Sequence, residues 1–220
     1  MNKIVVIAHA AAMGCAIAAT FVASAPQLAA AGGGPSTTLA PLGCSETPRI
    51  CLNRLTSVLM IKQSAAAAGD KDKLKWKFIK GSTAGDGSLF GDPTTTTTYS
   101  LCVYDDESLA AEATIPAGSA WTDLGGKGFQ YLDKSCAADG ICKVQLKAGT
   151  PEKPKQPSIK LVGKGAALPD PALPFSEPIN VRVQAQASDI SDCFNATYDP
   201  SSTIKSIDDG AERKLFKAKD

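Results

Sequence analysis

From about Arg54 onward, apolar residues recur at every second position rather than at helical spacing. The clearest run is Lys73-Leu74-Lys75-Trp76-Lys77-Phe78, which predicts a strand with Leu74, Trp76 and Phe78 inward and the lysines in water. Tyr99, Leu101 and Val103 share one face of the next run, up to Asp105. Leu109, Ala111, Ala113 and Ile115 alternate up to Pro116, and Phe129 and Tyr131 mark a short strand after Gly125-Gly126. Cys142, Val144 and Leu146 alternate with Lys143, Gln145 and Lys147, and Ile159 and Leu161 alternate with Lys160 and Val162. Ile179, Val181 and Val183, then Phe194, Ala196 and Tyr198, continue the pattern. Residues 54–62 and 214–217 supply a first and a last strand.

About nine or ten short strands separated by Gly, Pro and Asp turns predict an all-β domain with antiparallel pairing. The expected architecture is an antiparallel β-sandwich, jelly-roll-like or Ig-like. A helix at Ala65–Ala68 would be stopped by Gly69-Asp70. Prolines at 169, 171, 174 and 178 mark residues 166–178 as a long crossing loop.

The start of the chain has a different pattern. Met1-Asn2-Lys3 leads into an apolar stretch from Ile4 to about Ala25, followed by small residues up to Ala31. A basic start, an apolar middle and an A-x-A site predict a secretory signal peptide over 1–31. The stretch is long for that role, so retention as a membrane anchor stays open. Gly14-Cys15 lacks the branched apolar residue usual before a lipidated cysteine. Residues 32–43, rich in Gly, Pro, Ser and Thr, predict a flexible linker, and residues 44–220 a single domain. No later apolar run is long enough to span a bilayer. The expected location is secreted or periplasmic.

Cleavage after Ala31 removes the one histidine, His9, together with Cys15 and Lys3, so that basic and acidic residues balance at 22 each. Zero net charge argues against a general nucleic-acid binder. Cys44, Cys51, Cys102, Cys136, Cys142 and Cys193 remain, an even set that reads as disulfides in an exported chain. Six cysteines allow fifteen pairings. Sequence proximity favours Cys44 with Cys51 and Cys136 with Cys142, leaving Cys102 for Cys193.

Several segments together resemble a family of uncharacterised exported bacterial β-rich domains with paired cysteines, also found within larger secreted proteins. They are Cys44-x6-Cys51, residues 70–81, Phe90-Gly-Asp-Pro93, residues 99–105, Pro116-Ala-Gly118 and Gly128-Phe-Gln-Tyr131. Leu146-Lys-Ala-Gly149, Leu173-Pro-Phe175, Cys193-Phe-Asn-Ala-Thr-Tyr198 and Phe216-Lys-Ala-Lys-Asp220 complete the set. The resemblance implies export, β structure and one domain, and it assigns no activity. Where such relatives are expected to carry Trp after the last cysteine, this chain has Phe194.

Without histidine the mature chain cannot build a Ser-His-Asp or Cys-His site, and it lacks the commonest transition-metal ligand. Oxidised cysteines are neither nucleophiles nor zinc ligands. No cofactor or metal is implied, and the Asp105-Asp106-Glu107 and Asp208-Asp209 clusters read as solvated turns rather than a Ca²⁺ loop. Two kinds of candidate binding residue remain. Lys73, Lys75 and Lys77, with Lys71, form a comb along which an anionic polymer could lie; the bland reading is a solvated edge strand protected from aggregation. Trp121, Tyr104 and Tyr131 could stack on sugars; the bland reading is that they pack on the core.

The expected function is a non-catalytic extracellular structural or interaction module, with a cell-surface protein or polysaccharide as partner. A carbohydrate-binding domain is the alternative. A carboxylate-dependent glycan-active enzyme, which needs only two facing acids, is the weakest reading.

Overall fold

A computed structural model of the chain describes residues 43–64, 69–190, 193–210 and 213–220. The predicted signal peptide, nearly all of the linker and the predicted helix at 65–68 lie outside the described residues.

The alternating pattern becomes twelve strands: β1 (Leu52–Ser64), β2 (Lys73–Gly81), β3 (Tyr99–Asp105), β4 (Ser108–Ile115), β5 (Trp121–Asp123), β6 (Gly128–Leu132), β7 (Ile141–Lys147), β8 (Ser158–Lys164), β9 (Val181–Ala187), β10 (Cys193–Tyr198), β11 (Thr203–Asp208) and β12 (Arg213–Lys219). Among the described residues there is no α-helix, only a short 3₁₀ turn at Gly87–Phe90. The fold is therefore all-β, as expected. The two strands beyond the expected number are β5 and β11.

The strands form one hydrogen-bonded path, β4-β3-β9-β10-β1-β2-β8-β7-β6-β5, with β12 and then β11 branching from β1. This is a curled mixed sheet, a half-barrel, and not the expected sandwich of two separate sheets. The long β1 makes the difference. Its first residues, Leu52 and Asn53, pair in parallel with Phe194 and Asn195 of β10. After an irregular stretch at Arg54–Ser57, the same strand pairs antiparallel with β2 and β12. One strand thus belongs to both halves and carries the ladder from one to the other. Every other ladder between strands is antiparallel.

The inward positions of all these strands meet in one apolar cluster. Leu59 and Ile61 of β1, Leu74, Trp76 and Phe78 of β2, and Phe194 of β10 lie at its centre. Phe194 packs edge-on to Phe78 with ring centroids 5.6 Å apart and against Phe90 at 5.5 Å. Phe194 is thus a core ring.

β3 and β9 are buried along nearly their whole length on both faces. Their outward face is covered by residues 43–51, which run across it as a strap. Cys44 is bonded to Cys102 on β3, and Cys51 to Cys193 on β10. Between these anchors the Arg49 N–H donates to Gln184 Oε1 at 3.0 Å, and Gln184 Nε2 donates back to the Arg49 carbonyl at 2.7 Å. Gln184 and Gln186 are the large polar residues that this face buries, and both are hydrogen-bonded, as burial requires.

The pairing of Cys44 with Cys51 and of Cys102 with Cys193 is thus corrected. Cys102 and Cys193 stand on either side of β9, opposite Gln184 and Gln186 respectively. Two strand spacings separate them by at least ~9.5 Å, beyond the ~7 Å Cα limit for a disulfide. Each therefore needs a partner from the strap that crosses above. The third expected pair, Cys136–Cys142, is present. Its loop turns at Asp139 and Gly140, both at positive φ (44° and 74°), the conformation that an Asp-Gly pair adopts most readily.

Candidate functional site

The three aromatic candidates do not form a surface. Trp121, Tyr131 and Tyr104 are 4, 3 and 0% exposed. Trp121 lies between Tyr99 and Tyr131, at centroid distances of 5.8 and 5.3 Å, and its indole N–H donates to the Pro116 carbonyl. The Tyr104 hydroxyl donates to the Ser45 carbonyl at 2.9 Å and accepts from Gln186. All three rings are buried, so they offer no surface on which a sugar could stack.

The lysine comb shares one outward strand face, but it is not on an edge strand. β2 is flanked by β1 on one side and β8 on the other, so it is an interior strand and needs no edge protection. Leu74, Trp76 and Phe78 point into the core, which turns Lys73, Lys75 and Lys77 outward, all exposed. Lys71 lies in the turn before the strand.

The register then brings further lysines beside them. One row across the sheet reads Lys205 (β11), Lys217 (β12), Met60 (β1), Lys75 (β2), Val162 (β8) and Lys143 (β7). The next reads Thr203, Lys219, Val58, Lys77, Lys160 and Gln145 on the same strands. A third contains Lys62, Lys73 and Lys164. Lys147 stands further along β7, opposite Ser158. No outward position on these strands carries an acid, and among the described residues none of these lysines is in an ion pair.

The acids are held elsewhere, mostly in turns. Asp105 accepts from the Ser176 backbone and hydroxyl, and Glu107 pairs with Arg182. Hydroxyls of Thr94 and Thr95 hold the Asp92 carboxyl below its ordinary range, and the Ser135 hydroxyl does the same for Asp133. A nearly neutral chain thus has a face in whose cross-strand rows every outward charge is a lysine.

No family model, curated protein or solved structure matches this chain.

Within the lysine face lies a groove of about 420 Å³. Val58 and Met60 of β1 form its floor, and Lys75 and Lys77 stand along one side, with Lys217 and Lys219 along the other. The sequence pattern gave notice of part of this. Lysines at outward positions on β2, β7 and β8 are visible as alternation, but nothing local says that β12 and β11 lie beside them.

Proposed function

We propose that this chain is an exported, non-catalytic interaction module whose working surface is the lysine face, and that its partner is anionic. The observation that carries the reading is the cross-strand register. Lys62 stands directly opposite Lys73, Lys73 opposite Lys164, Lys77 opposite Lys160, and Lys205 opposite Lys217. Like charges at directly opposed positions destabilise a sheet. A surface that keeps several such pairs with no acid at an outward strand position, Asp72 near Lys62 being a carboxylate at its margin, gives up stability, and an anion bound across them would return it. Departures from local rules concentrate at functional sites.

Export is supported by the signal-like first 31 residues, by the resemblance to exported domains, and by three disulfides, which suit an oxidising periplasmic or extracellular setting. The non-catalytic reading rests on a chain whose one histidine falls in the predicted signal segment.

The test uses the oxidised, exported protein mixed with cell-envelope preparations at rising NaCl. Retention at low salt, release as the salt rises, and weaker retention of the triple variant K75Q/K160Q/K217Q are expected. Retention that is indifferent to both salt and the substitutions would overturn the reading.

A further inference from the structure

The groove over β1 differs from the rest of the lysine face because its floor is apolar. Met60 lies in register between Lys217 and Lys75, and Val58 between Lys219 and Lys77. One strand spacing separates β1 from each neighbour, so the two lysine walls stand ~10 Å apart, with successive lysines on each wall ~7 Å apart along the strand. This is a trough with a saturated floor and cationic sides that runs along β1. Its volume of about 420 Å³ falls within the range of sites that hold a small-molecule-sized segment.

We propose that this trough is a subsite for a single chain of an anionic polysaccharide lying parallel to β1. The proposal rests on the lysine face being the binding surface. The C–H faces of successive sugars would cover Val58 and Met60. Carboxylates or sulfates on the sugars would reach the lysines on either wall.

Past Met60 the next outward residue of β1 is Lys62, opposite Lys73, so a polymer that continues along the strand meets further lysines. The trough's ~10 Å width admits one extended chain between the walls. Single-stranded nucleic acid is usually held by rings on which bases stack, and no outward position of these strands carries an aromatic residue. Lysine suits the varied directions of sugar carboxylates and hydroxyls. Its compact ammonium has three rotatable donors and no fixed plane to match.

The test titrates the oxidised, exported protein with a fluorescent polygalacturonate oligosaccharide. The K75Q/K219Q variant removes one lysine from each wall, and K143Q/K164Q removes the same charge elsewhere on the face. M60Q keeps every charge and makes the floor polar. We expect K75Q/K219Q to weaken binding roughly ten-fold, about 1.4 kcal/mol, M60Q to weaken it measurably, and K143Q/K164Q to weaken it much less. Melting temperatures no lower than that of the parent protein would show that the variants are folded.

Equal losses in both lysine pairs, with M60Q silent, would overturn the trough and leave the face as a diffuse anion binder. Tighter binding of oligo-dT or of phosphatidylglycerol vesicles, lost in the same variants, would overturn the polysaccharide assignment. Absence of salt-sensitive binding to any of the three probes would remove the anionic-partner reading as well.

Discussion

The rings of Tyr99 and Trp121 lie 5.8 Å apart although their strands, β3 and β5, stand near opposite ends of the strand order. Consecutive strands β4 and β5 are the two ends of the path, and residues 116–120 connect them. Trp121 thus draws the two ends of the curled sheet together over the core. Trp121→Ala is expected to destabilise the domain by about 3–5 kcal/mol, as for other large core aromatics. Urea denaturation would measure this, and a loss below ~1 kcal/mol would mean that the ring does not close the fold.

The disulfides should rank by the length of chain that they close. Cys51–Cys193 spans 142 residues, Cys44–Cys102 spans 58 and Cys136–Cys142 spans 6. Loop entropy predicts losses of about 5, 4 and 2 kcal/mol for the respective double serine variants, as upper values in a chain that keeps its other bridges. Melting temperatures of the three variants would check the order. If the Cys136/Cys142 variant were the least stable, the strap would not be what holds the fold.

Alkaline stability should depend on Tyr198. Its side chain is fully buried, and burial is the main cause that pushes the phenol up to about 12, while Ser57, Trp76 and Arg54 pull the other way. The unfolded tyrosine ionises near pH 10, so between pH 10 and 12 the unfolded state loses a proton that the native state keeps. Stability is therefore complete below pH 10 and falls by about 2–3 kcal/mol as the pH rises through 12. Short denaturant titrations at pH 9 and 11.5 should show that fall, and Tyr198→Phe should remove most of it.

Lys73 faces Lys62 on one side and Lys164 on the other. Lys73→Glu is expected to stabilise the domain by about 0.5–1 kcal/mol at low salt, with the gain shrinking in high salt, and to weaken anion binding. A destabilised Lys73→Glu protein would show that the opposed lysines cost nothing.

Most of the fold was legible because most strands face the core on one side and water on the other. β2, β7 and β8 stand out by strict alternation of apolar and lysine residues. β5 was missed because three residues, one of them Trp121, make no period. β11 was missed because its residues are largely exposed and its ladder to β12, rather than burial, holds it in place. The pairing of Cys44, Cys51, Cys102 and Cys193 was not legible because proximity in sequence is not proximity in space. Cys44 and Cys51 are close in the chain, but the strap extends between them and delivers each to a different strand. The candidate site was legible only one strand at a time. Lys75 and Lys77 were visible as a comb, whereas Lys217 and Lys219 joined them through β12 pairing with β1, which no local pattern encodes. For Trp121 and Tyr131 the sequence left core packing and sugar stacking both open, because the burial of a large ring near a Gly-Gly turn depends on a distant strand, and the core reading is the one that the burial supports.

The strap also decides how the domain would carry a mechanical load. Tension applied through Gly43 meets the Cys44–Cys102 bond at the next residue, before any strand ladder has to bear it. From β3 the pull spreads sideways into β4 and β9, and Cys51–Cys193 returns it to β10. Peeling the strap away would require breaking sulfur–sulfur bonds rather than unzipping hydrogen bonds one at a time. From that end, the domain grips as an anchor for as long as its cysteines stay oxidised.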